Sequence, residues 1–258
     1  MTTIPGLRTN LAGRRALVTG STSGIGRSIA TALAREGATV VVTGRHQEGG
    51  AAVVHTIRTA GGAGHFVRAD LAEGGRAATR LAQEAATAAG GPIDLLVNNA
   101  ALLIPAQSLT DVDEQLADLA LAVNVKAPVL LTAALAPAMA QAGGGAVVNV
   151  GSISGAVGAA VSALYGATKA ALHSLTASWA AELAPQGIRV NAVLPGPTMT
   201  DENAASHDML HKYTATTPAG RPGTAADIAD AVVFLAGDRA SHIHGVTLPV
   251  DGGYLATR

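Results

Sequence analysis

The sequence predicts an open α/β fold: a parallel sheet of seven strands with helices on both faces. Three observations carry that expectation. Short runs that are apolar on consecutive positions alternate along the chain with longer stretches of helical period. Strands covered on both faces need apolar side chains in both directions, and a repeated strand–helix–strand order implies right-handed crossovers and parallel pairing. The composition agrees: 48% of the 258 residues are hydrophobic, only 2% are aromatic, and 31 are glycine. Such a core is built from small Ala, Val and Leu side chains and from backbones that approach closely.

In chain order the expected strands are 16–19, 39–43, 65–69, 95–98, 146–150, 189–194 and 246–250. The expected helices are 25–36, 48–60, 75–89, 113–140, 163–184 and 225–236. No Pro/Ser-rich linker and no internal repeat divides them, so residues 1–258 read as one domain. Segment 199–222 breaks the alternation. It is polar, carries His207, His211 and Lys212, and ends in Pro218-Ala-Gly-Arg-Pro222. A mobile substrate lid is expected there, since long excursions in compact folds are often functional.

Composition closes off several classes. With 17 Lys plus Arg against 18 Asp plus Glu the formal net charge is −1. Nucleic-acid partners call for a strongly basic face, so none is expected. The absence of cysteine removes disulfides, thiolate metal sites and a Cys nucleophile. The start shows no long apolar run after its first basic residue. The longest Ala/Leu-rich stretch, 129–142, contains Pro137 and falls short of the ~20 apolar residues a span requires. The expectation is a soluble, cytoplasmic chain without a membrane partner.

The turn after the first strand is the first sign of chemistry. Thr19-Gly-Ser-Thr-Ser-Gly-Ile-Gly26 sets Gly20, Gly24 and Gly26 between a strand and a helix. A turn of that kind aims free backbone N–H groups and the positive helix end at a phosphate, and glycine lets the phosphate reach the main chain. Gly20, Ser21, Ser23, Gly24, Ile25 and Gly26 are therefore candidate cofactor contacts. Downstream, Tyr165 and Lys169 are four apart in a helical segment, which puts them one turn apart on one face. Ser152 ends the fifth strand thirteen residues before Tyr165. Alone, each of these is an ordinary turn or helix pair.

Taken in order, the motifs resemble the short-chain dehydrogenase/reductase family. The resemblance runs through Thr19-Gly-x-x-x-Gly-x-Gly26, Asp70, Asn98-Asn-Ala100, Asn124, Ser152, Tyr165-Gly-Ala-Thr-Lys169 and Pro195-Gly196. It spans about Arg15 to Gly253 and departs at Ala101, where the family often has glycine. It implies a single-domain Rossmann fold with strand order 3-2-1-4-5-6-7 and a nicotinamide cofactor. Asp70 and Leu71 would meet the adenine, although Asp70 could equally cap the following helix. Asn98, Ala100, Pro195, Gly196 and Thr198 would line the rest of the cofactor.

Charge at the end of the second strand selects the cofactor. A carboxylate there hydrogen-bonds a ribose 2′-hydroxyl and repels a 2′-phosphate. The position where NAD-using relatives carry Asp is Gly44, and Arg45 follows with a guanidinium suited to a phosphate. NADP(H) is expected ahead of NAD(H).

The catalytic expectation follows from residue types. Hydride transfer to a carbonyl leaves an alkoxide that needs a proton, and a phenol of pKa near ~10 is ready to give one. Lys169, as a cation, would lower the Tyr165 pKa for the reverse reaction. Ser152 would hold the substrate oxygen. By resemblance, Lys169 also binds the nicotinamide ribose, and Asn124 completes a proton path through a water.

Segments 101–105, 153–164 and 195–200 would line a pocket of small apolar residues, which suits a small apolar carbonyl or alcohol substrate. In carrier-protein 3-oxoacyl reductases basic residues tend to stand where this chain has Leu130 and Ala181. His207 and His211 have a metal-protease spacing without its Glu, so a substrate-facing His is expected there rather than a metal ligand. The Ala/Leu-rich helices 113–140 and 163–184 are expected to pack in a homotetramer. The alternatives are an NAD-linked alcohol, steroid or sugar dehydrogenase, a 3-oxoacyl reductase, and, from another class, a non-catalytic nucleotide-binding regulator. That last protein would be expected to have lost Ser152, Tyr165 or Lys169.

Overall fold

The computed structural model describes residues 11–160 and 162–257. Seven parallel strands form its main sheet: β1 (Arg15–Val18), β2 (Thr39–Gly44), β3 (Ala63–Arg68), β4 (Leu95–Asn98), β5 (Gly145–Val150), β6 (Ile188–Pro195) and β7 (Thr247–Val250). Their spatial order is β3-β2-β1-β4-β5-β6-β7, as the resemblance implied. β1 lies between β2 and β4, with Ala16 opposite both Val40 and Leu95. The chain winds one way from β1 and then the other, and ligands of such sheets bind at the carboxyl ends of the strands beside that reversal.

The helices are α1 (Gly24–Arg35), α2 (Gln47–Thr59), α3 (Gly75–Ala88), α4 (Glu114–Gln141), α5 (Ala163–Leu183), α6 (His207–Thr214) and α7 (Ala225–Ala236). Successive strand residues face opposite layers. Val18, Val40, Val42 and Val97 pack under α1, α2 and α7 through Ile29, Leu33, Val53, Ile57, Ile228 and Val232. Leu17, Val41, Leu96 and Val147 pack under α3, α4 and α5 through Leu81, Leu131, Leu135, Met139 and Leu183. Each of these buried Val and Leu side chains is worth ~1.5–3 kcal/mol over an exposed one. Both layers are needed because the central strands carry no polar face.

Two elements differ from expectation. α4 contains a π turn, Ala122–Lys126, with Asn124 buried inside it. The side chain of Asn124 is pulled onto the loop after β4, and the wider turn makes room for it. The bounds of α4 match the expected helix 113–140 within a residue, but by length and composition it is long and apolar enough to cross a membrane, where the 129–142 stretch was expected to fall short. One face of it is laid on the sheet against α3, and Asn124 wires it into the site.

The second difference is the lid segment. A two-residue strand, Thr198–Met199, pairs in parallel with Gly223–Thr224 and closes the excursion at its base. Within it run the turn Asp201–Ser206 and helix α6. Thr224 then starts α7 through a reciprocal capping box with Asp227.

Candidate active site

The glycine turn is held from below by the loop after β4. Thr19 Oγ1 accepts the N–H groups of Asn99 and Ala100, each at 2.9 Å. Asn99 Nδ2 donates to the carbonyls of Thr19 at 2.8 Å and Gly20 at 3.0 Å. A Cβ on Gly26 would fall 2.2 Å from the Gly20 carbonyl, and one on Gly20 would fall 2.8 Å from Ala100 Cα. Gly20 also has a φ of +62°, a conformation that favours glycine. Above this floor the first N–H groups of α1, at Gly24, Ile25 and Gly26, have no intrahelical partner. Ser21 belongs to the brace: its hydroxyl donates to Val18 at 2.6 Å and accepts from Thr43 at 3.0 Å. Ser23 is exposed at the mouth, where it hydrogen-bonds the Glu202 carboxylate.

At the end of β2, Arg45 is exposed, and its carbonyl accepts from Arg68 Nε at 3.0 Å. A Cβ at Gly44 would meet Thr22 Cγ2 at 2.8 Å, so room for a carboxylate there is also restricted. Asp70 Oδ1 accepts from Ala72 at 3.0 Å and caps the short turn Leu71–Glu73. The cap therefore exists, and Leu71 sits half-buried beside it. Asn98 turns away from the cleft: its Nδ2 donates to Asn149 Oδ1 at 2.9 Å and to Thr132 Oγ1 at 3.2 Å. Asn149 in turn donates to Thr176 on α5 at 2.9 Å. This buried ladder ties β4, β5, α4 and α5 together beneath the site.

Pro195 ends β6, and a Cβ on Gly196 would lie 2.7 Å from Asp251 Cα. Buried Thr198 donates to the Gly196 carbonyl at 2.9 Å. The lid starts here. Asn203 receives the N–H of Thr200 at 2.9 Å and donates to the Thr198 carbonyl at 2.9 Å. The expectation of a substrate-facing histidine is corrected for His207: its Nε2 lies 3.0 Å from the Thr200 carbonyl and 3.1 Å from Asn203 Oδ1. It fastens the lid's own turn. His211 is exposed.

Ser152, Tyr165 and Lys169 converge. Ser152 is extended, and its Oγ accepts the Ser154 N–H at 3.1 Å, which aims the hydroxyl. The Ser152 hydroxyl also hydrogen-bonds the Tyr165 phenol. Lys169 is buried, donates to the Val150 carbonyl at 2.9 Å, and lies 5.7 Å from the Tyr165 ring centre. Burial lowers the Lys169 pKa to about 8. Burial raises that of Tyr165, with the Ser152 bond opposing it. The protein alone therefore keeps the phenol protonated, where a downward push was expected. Desolvation of the phenolate outweighs the hydrogen bond from Ser152.

Asn124 joins this group through its amide. Its Oδ1 accepts from Leu102 at 2.7 Å, and its Nδ2 donates to Leu102 at 3.1 Å and Thr168 Oγ1 at 3.1 Å. Thr168 donates to the Tyr165 carbonyl at 2.8 Å. The side chain clamps the loop after β4 to the helix that carries Tyr165, with both amide hydrogens in use.

Residues 20–255 match the family model described as Enoyl-(Acyl carrier protein) reductase. The chain belongs to the short-chain dehydrogenase/reductase family. L-xylulose reductase of Bos taurus is 40% identical over 251 residues, covering 96% of this chain and 98% of that one. L-rhamnose 1-dehydrogenase (NAD(P)(+)) of Azotobacter vinelandii is 39% identical over 245 residues, covering 92% and 94%. Among solved structures, a 3-oxoacyl (acyl-carrier-protein) reductase from Agrobacterium tumefaciens with NADP bound superimposes with a TM-score of 0.90 at 36% identity, covering 96% of each chain. This short-chain dehydrogenase/reductase is thus an oxidoreductase of a family that binds a nicotinamide cofactor. Sequence reasoning had not assigned roles to Thr19, Asn99, Asn149, His173 and Glu202. The doubled asparagine at 98–99 was a signal for one of them.

Proposed function

We propose that the enzyme reduces a small, mostly apolar ketone or aldehyde to the alcohol, reversibly, with NADP(H). One observation carries the reading: the Tyr165 phenol is hydrogen-bonded to Ser152 and flanked by the buried Lys169 ammonium. A non-catalytic nucleotide binder has no need of that group. The turn suits the cofactor, because Gly20 and Gly26 leave a cradle that a Cβ would fill. The free N–H groups of α1 would hold the pyrophosphate and Arg45 the 2′-phosphate. When bound, the cofactor supplies or accepts a hydride. NADP in the solved 3-oxoacyl reductase relative supports the same choice.

In reduction, Tyr165 gives its proton to the carbonyl oxygen as that oxygen gains charge. Ser152 donates a hydrogen bond to the same oxygen and fixes the carbonyl for attack. Lys169, charged below about pH 8, stabilises the phenolate left behind. Asn124, committed to Leu102 and Thr168, keeps Tyr165 in place. The loops after β4 and β5 contribute Leu102, Leu103, Ile104 and Val157, which favours an apolar substrate over a sugar phosphate. Exposed Leu119 and Leu121 on α4 support a homotetramer.

The test is Tyr165→Phe. We expect kcat for activated ketones to fall by about 10³-fold, with the NADPH Kd unchanged. Near-normal turnover overturns the assignment. Arg45→Ala is expected to weaken NADPH about tenfold or more while sparing NADH. Equal weakening of both cofactors overturns the specificity.

A further inference from the structure

His173 stands outside the Ser152–Tyr165–Lys169 group and yet touches it. It lies one turn beyond Lys169 on α5, and its Nε2 accepts the Ser152 backbone N–H at 3.4 Å. The ring also donates to the Gly155 backbone. It therefore bridges both ends of the turn that carries Ser152. Gly151 and Gly155 bound that turn, and neither has a positive φ. A Cβ on Gly151 would fall 2.4 Å from His173 Nε2, and one on Gly155 would fall 2.7 Å from its Cε1. Gly155 also lies against the α5 backbone. At Gly151 the imidazole occupies the space that a side chain would need.

We propose that neutral His173 is a positioning residue for Ser152, holding the Gly151–Gly155 turn so that the serine hydroxyl faces Tyr165 and the substrate oxygen. This rests on the reading of Ser152 as the group that orients the carbonyl. An imidazolium has no acceptor atom, so protonation removes the partner of the Ser152 N–H. It also sets a second cation beside Lys169. Burial first, and then the Lys169 charge, hold the imidazole below its ordinary pKa, against the bond to Gly155. The ring is thus neutral near pH 7, and its support of Ser152 is lost as pH falls through that depressed value. Arg189 on β6, Lys126 in the π turn, and Glu114 and Asp118 on α4 belong to elements packed against α5, but the charge that reaches His173 is that of Lys169.

Three variants test this: His173→Leu fills the slot without an acceptor, His173→Gln keeps an acceptor and donor that do not titrate, and Ser152→Ala is the reference. The readouts are kcat and KM for ketone reduction across pH, with the NADPH Kd from fluorescence titration as the control for folding. We expect His173→Leu to lose about tenfold to 100-fold in kcat, as small misplacements of a reacting group do, with the NADPH Kd within about twofold. His173→Gln should recover most of that loss at neutral pH and lack the acid limb of the natural enzyme. Wild-type kcat in His173→Leu, beside a damaged Ser152→Ala, overturns the role of His173 alone. A His173→Gln variant that keeps the natural acid limb does the same, even where His173→Leu fails to fold. An undamaged Ser152→Ala overturns the reading of Ser152 itself.

Discussion

The glycine turn after β1 and the lid after β6 reach the same cleft from the carboxyl edge of the sheet, but they are held by different means. The turn is fixed from outside its own segment: the Asn99 side chain, on the loop after β4, grips two of its carbonyls, and Gly26 has no room for a methyl group. The lid is fixed by side chains of its own segment, Asn203 and His207, and by an exposed ion pair from Asp201 to Arg27 on α1. A turn braced in this way would suit, under the proposed function, the part that every nicotinamide cofactor shares. The lid segment is held by short polar contacts over mostly exposed residues, with little else to brace it. Exposed ion pairs contribute little, with typical values of ~0–1 kcal/mol. The turn is therefore the more firmly braced of the two.

The strongest way to break this contrast is Gly26→Ala. The added methyl meets the Gly20 carbonyl at 2.2 Å and the Asn99 side-chain amide, itself bound to two carbonyls of the turn, at 2.5 Å. Overpacking of this kind costs ~1–3 kcal/mol or more, and the strain falls where the pyrophosphate would approach. We expect NADPH affinity, read by fluorescence titration, to drop about 100-fold or to become undetectable. Affinity within threefold of the natural protein would mean that the turn gives way as readily as the lid.

Next in size is Lys169, where the rigid side of the site bears a cost in stability. Folding lowers its pKa from 10.5 to about 8, because its charge is buried. That difference corresponds to about 3 kcal/mol against the folded state below pH 8. Lys169→Met removes the penalty and leaves the Val150 carbonyl without its donor, an offset of about 1 kcal/mol or more. The expected outcome is a higher Tm at pH 7 with turnover abolished. A depressed lysine pKa means that the unfolded chain binds more protons between pH 8 and 10.5, so the natural protein gains stability over that window. The gap to the variant should narrow there. A lower Tm for Lys169→Met at pH 7 would show that the ammonium stabilises the fold.

How much was legible follows the same division. The three glycines and the Tyr165–Lys169 spacing could be read because each depends on local backbone or helix geometry, and the strand order came only through the family resemblance. The grip of Asn99 on the turn could not, since its partners lie 79 and 80 residues away in sequence. The same holds for the Asn98–Asn149–Thr176 ladder, whose members are separated by 51 and 27 residues. The π turn in α4 was hidden because its cause, Leu102, sits outside the helix. α6 was missed because it is only eight residues long and lies in a polar segment with few core-facing residues. Of its residues only Thr214 is buried.

The smallest effect, and the one that sharpens the contrast most, concerns Glu202. The lid and the turn meet there: a Cβ on Gly24 would lie 2.8 Å from Glu202 Oε2, and Ser23 hydrogen-bonds the same carboxylate. Partial burial alone would raise its pKa, but bonds from Ser23 and Thr200, with the charge of Arg27, hold it below the usual carboxylate value. The lid therefore puts a full negative charge at the mouth of a turn shaped for phosphates. Glu202→Gln keeps the shape and removes the charge. NADPH should bind about three- to tenfold more tightly, and the gain should shrink in high salt, where charges at an open cleft are screened. Unchanged affinity at low salt would mean that the carboxylate moves aside without cost when the cofactor enters. Weaker affinity would make Glu202 a partner of the bound cofactor, and the lid would then belong with the turn as a built part of the binding site.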